Sequence, residues 1–181
     1  ISWSPDSKWI TFIQGLDNSN GAVFVFNVEE KELHQMTSGF FNDNYPVFST
    51  DGKYLFYLTN RNLQAAYSDL DATWIYPNST KIVAMSLTTD AGSLLAPKND
   101  EVKIEEDKSK NKGEEKGKEN EEDKKSDKKE KENENGEEVV INFQNPESRI
   151  ELLPPKAGNI AAIMPFDGKL VYLRRPNTGS G

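Results

Sequence analysis

Only one imidazole is available to this chain, His34 between Leu33 and Gln35, and there is no cysteine. A Ser-His-acid triad needs an imidazole held in place by a carboxylate, whereas this histidine reads as a residue of an outer, surface strand. Asp69 and Asp71 stand two apart, a spacing open to an acid/base pair, but an ordered loop capped by aspartates fits the same pattern. Asp17-Asn18-Ser19-Asn20-Gly21 has the composition of a calcium loop. Its glycine comes one position early and the twelfth position is Val28 rather than Glu, so a β-turn is expected there. The chain has no glycine-rich phosphate loop and no Cys/His metal spacing. These residue types predict no catalytic group, no metal and no cofactor in this segment.

The elements that must position any functional residue repeat along the chain. Ser4-Pro5-Asp6-Ser7-Lys8-Trp9-Ile10-Thr11-Phe12 returns as Ser49-Thr50-Asp51-Gly52-Lys53-Tyr54-Leu55-Phe56-Tyr57, 45 residues later, and more faintly as Asp167-Gly168-Lys169-Leu170-Val171-Tyr172. That period suits a four-stranded blade of a β-propeller, whose sheet cannot bury both faces alone and must stack between neighbours. The expected fold class is all-β, with WD-like antiparallel blades in an incomplete ring. A closed ring takes at least about 180 structured residues, and this chain of 181 supplies fewer. Beginning without Met at the end of a strand and stopping just after another, it reads as an internal piece of a longer polypeptide. About two complete blades with a partial blade at each end, and almost no helix, are expected.

The charge is concentrated in one stretch. Residues 100–138 hold 11 Lys against 17 Asp or Glu, a net of −6, leaving −2 of the chain's −8 for everything else. With Val102 and Ile104 as its only large apolar residues, that stretch cannot offset the roughly 1 to 2 kcal/mol per residue of backbone ordering entropy. It is expected to be a disordered, solvated insertion in a surface loop. Mixed signs attract neither nucleic acid nor membrane strongly, and no apolar run approaches the roughly 18 residues of a membrane span. The organisation is therefore propeller blades over 1–99, the Lys/Glu-rich insertion over 100–138, and a continuation of the propeller over 139–181.

The blades parse strand by strand. Asn44-Tyr45-Pro46-Val47-Phe48-Ser49 is an inner strand, Asp51-Gly52 a tight turn, and residues 53–59 the next strand, rich in aromatic and β-branched types. Val23-Phe24-Val25-Phe26-Asn27-Val28 and Ile82-Val83-Ala84-Met85-Ser86-Leu87 are third strands, almost continuously apolar as a sheet buried on both faces requires. Residues 32–37 form an outer strand. The third strands lie 59 rather than 45 residues apart, so 14 extra residues enter within 61–80. The stretch 62–77 is too apolar for a flexible loop and predicts an ordered excursion that packs on something. Either Leu94-Leu95 or residues 150–153 could supply the outer strand of the second blade. Trp3, Ile10, Phe12, Val23, Val25, Val47, Phe48, Leu55, Tyr57, Ile82, Ala84 and Leu170 are the expected core.

The repeats alone resemble the propellers of TolB-type proteins and prolyl oligopeptidases. More specific is the string from Thr37-Ser38-Gly39-Phe40-Phe41-Asn42-Asp43 through Pro46-Val47-Phe48, Asp51-Gly52-Lys53-Tyr54-Leu55-Phe56 and Ser68-Asp69-Leu70-Asp71 to Tyr76-Pro77-Asn78-Ser79-Thr80. It is similar to the propeller of tricorn-type serine peptidases, as are Ser93-Leu94-Leu95-Ala96-Pro97-Lys98-Asn99-Asp100-Glu101 and Arg149-Ile150 followed by Leu153-Pro154. The resemblance implies a multidomain hydrolase in which propellers precede a PDZ-containing catalytic part and conduct or filter peptides toward and away from a serine active site outside this segment. Its partners would be peptides or unfolded polypeptide, the remaining domains of the parent chain, and further copies in a homo-oligomer. It favours the cytoplasm, with the periplasm open. Phe40, Phe41, Asn42, Asp43, Tyr67, Asp69, Asp71 and Trp74 are the expected peptide contacts, on loops at a propeller face where binding residues concentrate. The alternative function is a TolB-like interaction propeller without enzymatic activity.

Replacing residues 100–138 by a short Gly/Ser linker should leave the melting temperature of the parent protein within about 2 °C, since a loop-length change costs little. A larger fall in a thermal melt would show that the stretch packs against the fold.

Overall fold

A computed structural model describes residues 1–62, 65–68, 70, 72–96 and 138–177. The expectation for 100–138 falls almost wholly outside the described residues. The first sheet has strand order β1-β2-β3-β4, formed by β1 (Ser2–Trp3), β2 (Trp9–Gly15), β3 (Gly21–Asn27) and β4 (Leu33–Gln35). The second joins β5 (Asp43–Phe48), β6 (Tyr54–Thr59), β9 (Lys81–Ser86) and β10 (Ile150–Leu152) in the order β10-β9-β6-β5. Between β6 and β9 a small hairpin, β7 (Ala66–Ser68) with β8 (Thr73–Ile75), is inserted, and β11 (Asn159–Phe166) pairs with β12 (Lys169–Arg175) in a further two-stranded sheet. All named pairings are antiparallel. The one helical element among the described residues is a 3₁₀ turn, Pro146–Arg149. The chain is thus two complete blades and half of another, in a ring that does not close.

Two expectations change, and one choice left open by the sequence is decided. Ser2–Trp3 is the first strand of the first full sheet, so among the described residues the partial blade stands at the C-terminal end and not at both ends. Residues 150–152, not Leu94-Leu95, supply the outer strand of the second blade by pairing Ile150 with Met85 and Leu152 with Val83. Among the described residues of the excursion, Ala66–Ser68 and Thr73–Ile75 pair as strands, but the rings of Tyr67 and Trp74 meet each other at 5.6 Å and both remain exposed rather than packing on another element.

Alternation decides the core. Trp9, Val23, Val25 and Met36 of the first blade meet Phe48, Leu55, Tyr57, Val83 and Met85 of the second in one buried cluster. The opposite face of the second sheet places Phe56, Leu58, Ile82 and Ala84 against Ile160 and Ile163 of β11. Leu55, Tyr57, Val83 and Met85 are inaccessible to solvent because β6 and β9 lie inside a sheet that is itself covered on both faces. Trp3, by contrast, is exposed, and Ile10 and Phe12 are only half-buried, since they occupy the face of the first sheet turned away from the second. Val47 and Leu170 are half-buried at the margin of the second cluster.

Inner strand β5 accommodates Pro46 by an irregularity. Its register with β6 shifts between Asn44 and Val47, with Tyr45 at φ 52°. Lying at the edge of its sheet, β5 can place a proline without losing a ladder bond.

The repeated turn has a side-chain basis. Ser4 Oγ donates to Asp6 Oδ1 at 2.5 Å and accepts from the Trp9 N–H at 2.9 Å, while the Lys8 N–H reaches Asp6 Oδ1 at 3.1 Å. Ser49, Asp51, Lys53 and Tyr54 repeat the same four-group arrangement. The third copy has Pro165 in place of that serine, and β11 runs into β12 through the two-residue turn Asp167-Gly168.

Ser7, Gly52 and Gly168 take φ 60°, 67° and 63° in the three turns. A Cβ on Gly52 would lie 2.6 Å from Val139 Cγ2, whereas one on Gly168 would meet nothing within 4 Å. Gly168→Ala should therefore cost about 1 kcal/mol of left-handed backbone strain, and Gly52→Ala about 1 to 3 kcal/mol more from overpacking. Thermal melts should show Val139→Ala recovering part of the second loss and none of the first.

Candidate functional site at the loop-rich end of the blades

The registers bring Gly15 to Gly21, Asp43 to Thr59, Thr59 to Lys81, and Asn159 to Arg175. The connections between these strand ends gather at one end of the sheets, opposite the tight aspartate turns. The expected contact residues Phe40, Phe41, Asn42 and Asp43 all lie here, and the β7–β8 hairpin carrying Tyr67 and Trp74 is inserted at the same end of β6 and β9. Asp69 and Asp71 lie outside the described residues. The structure brings Phe40, Phe41, Asn42 and Asp43 into one cluster and makes Tyr67 and Trp74 a separate cross-strand pair.

The loop before β5 is held rigidly for its length. Gly39, at φ 76°, sits where any Cβ would strike Leu16. Its carbonyl accepts from Asn18 Nδ2 at 2.9 Å and Asn20 Nδ2 at 3.0 Å, and the latter also reaches the Phe40 carbonyl at 3.1 Å. Asn42 Oδ1 accepts from the Gly21 N–H at 2.9 Å, and the Asn42 N–H donates to Asn60 Oδ1 at 2.9 Å. The stretch with calcium-loop composition is thus a turn whose asparagine amides pin the neighbouring loop. Phe40 projects from this support 77% exposed, its ring packed edge-on to Phe41 at 5.0 Å.

Beneath the aromatic pair lies a polar group that the sequence did not single out. The Arg61 guanidinium sits 4.8 Å from the Phe41 ring centre, 3.5 Å from Asp43 Oδ2 and 2.6 Å from Glu147 Oε1. Asp43 is fully buried, and neither of its carboxylate oxygens closes a hydrogen bond. Burial pushes its pKa up, and the opposing pull of Thr59, Arg61 and Thr37 is too weak to reverse that. The Tyr57 hydroxyl is likewise buried without a partner, and burial pushes that phenol up as well. Asp43 therefore belongs to the supporting layer rather than to the surface that a ligand meets. Nothing in its sequence context distinguished it from Asn42, because burial there depends on Arg61 and Glu147 arriving from distant positions.

His34 does lie on an outer strand, but it is half-buried rather than on the bare surface. Its ring stacks on Phe143 at 3.7 Å and its Nε2 stands 3.5 Å from Glu32. The cover comes from residues 138–143, which run along the seam between the first two blades. There the Val139 N–H donates to Asp6 Oδ2 at 2.8 Å, Lys8 pairs with Glu138 at 2.7 Å, and the Asn142 N–H donates to the Leu87 carbonyl at 2.8 Å. Asp6 is partly buried, which by itself would raise its pKa, but the bonds from Ser4, Val139 and Lys8 hold it below the usual carboxylate range. Among the described residues no group of three or more His, Cys, Asp or Glu is placed to hold a metal ion. The loop-rich end presents an exposed, supported aromatic and a set of neutral amides.

A carboxylate whose pKa is raised by folding carries a penalty once ionised. Asp43→Asn should match the wild type near pH 3, where both side chains are neutral. As the pH rises from about 4 through the raised pKa, the variant should become progressively more stable, by several degrees in a melt at pH 7. Arg61 retains Glu147 in that variant. Equal melting temperatures at pH 7 would show that Arg61 fully compensates the buried charge.

Comparison with known proteins agrees with this architecture. The family described as the tricorn protease second beta propeller domain matches residues 1–181. A tricorn protease homolog from Streptomyces coelicolor is 26% identical over 187 residues, covering 99% of this chain and 14% of that protein. The crystal structure of the tricorn protease superposes with a TM-score of 0.54 at 16% identity, covering 90% of this chain and 13% of that one. The chain spans about one seventh of the relatives it matches. The match over residues 1–181 shows that this chain belongs to the tricorn protease second β-propeller domain family.

Proposed function

We propose that this segment shapes the access of polypeptide to a serine-peptidase active site carried by other domains of its parent chain, and contributes no catalytic group to it. The observation that carries this reading is the pinned, outward-facing Phe40, held by Asn18, Asn20 and Asn42 at the end of the blades where the exposed Tyr67–Trp74 pair is also inserted. Exposed aromatics on a rigid support bind apolar side chains of extended polypeptide with little ordering cost. The family supports the reading further, since tricorn protease relatives are named for proteolysis. Acyl transfer needs nucleophile, base and oxyanion site within mutual reach, and His34 is stacked under Phe143 on an outer strand instead.

In the intact parent, Phe40→Ala or Trp74→Ala should lower the turnover of long, unfolded polypeptides about 3- to 10-fold, as for loss of one aromatic contact. The same variants should change short-peptide turnover less than 2-fold. His34→Ala should leave short-peptide turnover nearly unchanged. A loss of about a thousandfold, the scale for removing a triad member, would overturn the non-catalytic assignment.

A further inference from the structure

Beside the aromatic cluster lies a cavity of about 320 Å³ whose lining, among the described residues, carries no charged side chain. It opens between the loop-rich end of the second sheet and the start of β11, with Leu58 and Ile160 as its apolar wall. Three asparagines line it, and the bonds already described fix the orientation of two. Because Asn42 Oδ1 accepts from the Gly21 N–H and Asn60 Oδ1 accepts from the Asn42 N–H, the Nδ2 group of each is the end of its amide that makes no hydrogen bond among the described residues. The Asn44 amide and the Ser79 and Thr80 hydroxyls also line the cavity and make no side-chain hydrogen bond among the described residues.

We propose that this cavity binds the main chain of an extended peptide, with the Asn42 and Asn60 amide groups donating to its carbonyl oxygens. The inference rests on the access reading above and names the part of the substrate that is read. A peptide carbonyl is a neutral acceptor, matched by neutral donors whose direction is set before binding. Asn44, Ser79 and Thr80 can each donate or accept, which suits the alternating N–H and C=O of an extended backbone. With no charge in the lining, the site cannot sort substrates by side-chain charge. It favours chain that is unfolded, because unfolded chain presents unpaired main-chain groups along its whole length. Phe40 would then add a preference for apolar side chains nearby.

The test uses the full-length parent and a fluorescein-labelled, end-capped 16-residue Gly/Ser peptide, followed by fluorescence anisotropy. Asn60→Asp and Asn42→Asp each keep the Oδ1 acceptor that the fold uses and replace the Nδ2 donor, so the loop support survives. Each should weaken binding about 3- to 10-fold, the loss expected for one neutral hydrogen bond, and Asn44→Ala should weaken it less. Unchanged affinity in both aspartate variants would overturn the inference, as would tighter binding of maltoheptaose than of the peptide, which would assign the cavity to a sugar. If Phe40→Ala still slows long-substrate turnover in that event, the access reading stands without this site. If no variant alters either measurement, both fall.

Discussion

Each sheet of this chain is apolar on both faces, and the structure follows from the need to cover the two faces at once. In the second blade Leu55, Tyr57, Val83 and Met85 point one way while Phe56, Leu58, Ile82 and Ala84 point the other. A lone four-stranded sheet of this composition would leave one set in water, at about 25 cal/mol per Å² of apolar surface. Stacking the first blade on one face and the β11–β12 hairpin on the other removes both sets together. The same rule explains the half-burial of Ile10 and Phe12 and the exposure of Met164, Phe166, Val171 and Leu173. Stability in such an array comes from interfaces between neighbours more than from any single repeat.

Stacking by apolar contact is non-directional, and polar ties fix the blades in register. The Ser-x-Asp turns of the first two blades close each β-hairpin from its own side chains, and Asp6 then uses its second oxygen to hold Val139 in the seam. Arg149 ties the returning segment to three carbonyls, those of Ser86, Gln144 and Asn142. Arg61 does comparable work at the opposite end, where it meets Phe41, Asp43 and Glu147 from separate parts of the chain. Removing Arg61 would cost more than its pairs contribute, because the carboxylates of Asp43 and Glu147 would be left without compensation.

The two ends of the blades therefore differ in kind. One end is made of short turns closed by aspartate, serine and glycine, which leave few groups unused. The other carries long connections, with supported aromatics and asparagines whose amides are only partly committed. The first end and the stacked sheets hold the loops of the second end in place, and a pre-ordered loop loses little entropy on any contact it makes.

Several features were legible in the sequence because they are local. The 45-residue repeat, the alternation of strands and the continuously apolar third strands each follow from neighbouring residues, and the structure has the corresponding antiparallel sheets. The position of Phe40 at a blade end was legible for the same reason: it lies just before an inner strand. Other features depend on residues that meet only after folding. The choice of residues 150–152 as outer strand depends on a partner more than sixty positions earlier, at Met85 and Val83. The burial of Asp43 and the role of Arg61 depend on Glu147, and the cover over His34 depends on Phe143. Trp3 has the composition of a core residue, yet the side of the sheet it occupies has no described neighbour. The sequence by itself determined the repeating blade and the chemistry carried at each blade end. Tertiary structure alone decided which polar groups were buried, which amides stayed free and which strand closed each sheet, because those outcomes are set by contacts between segments that share no local pattern.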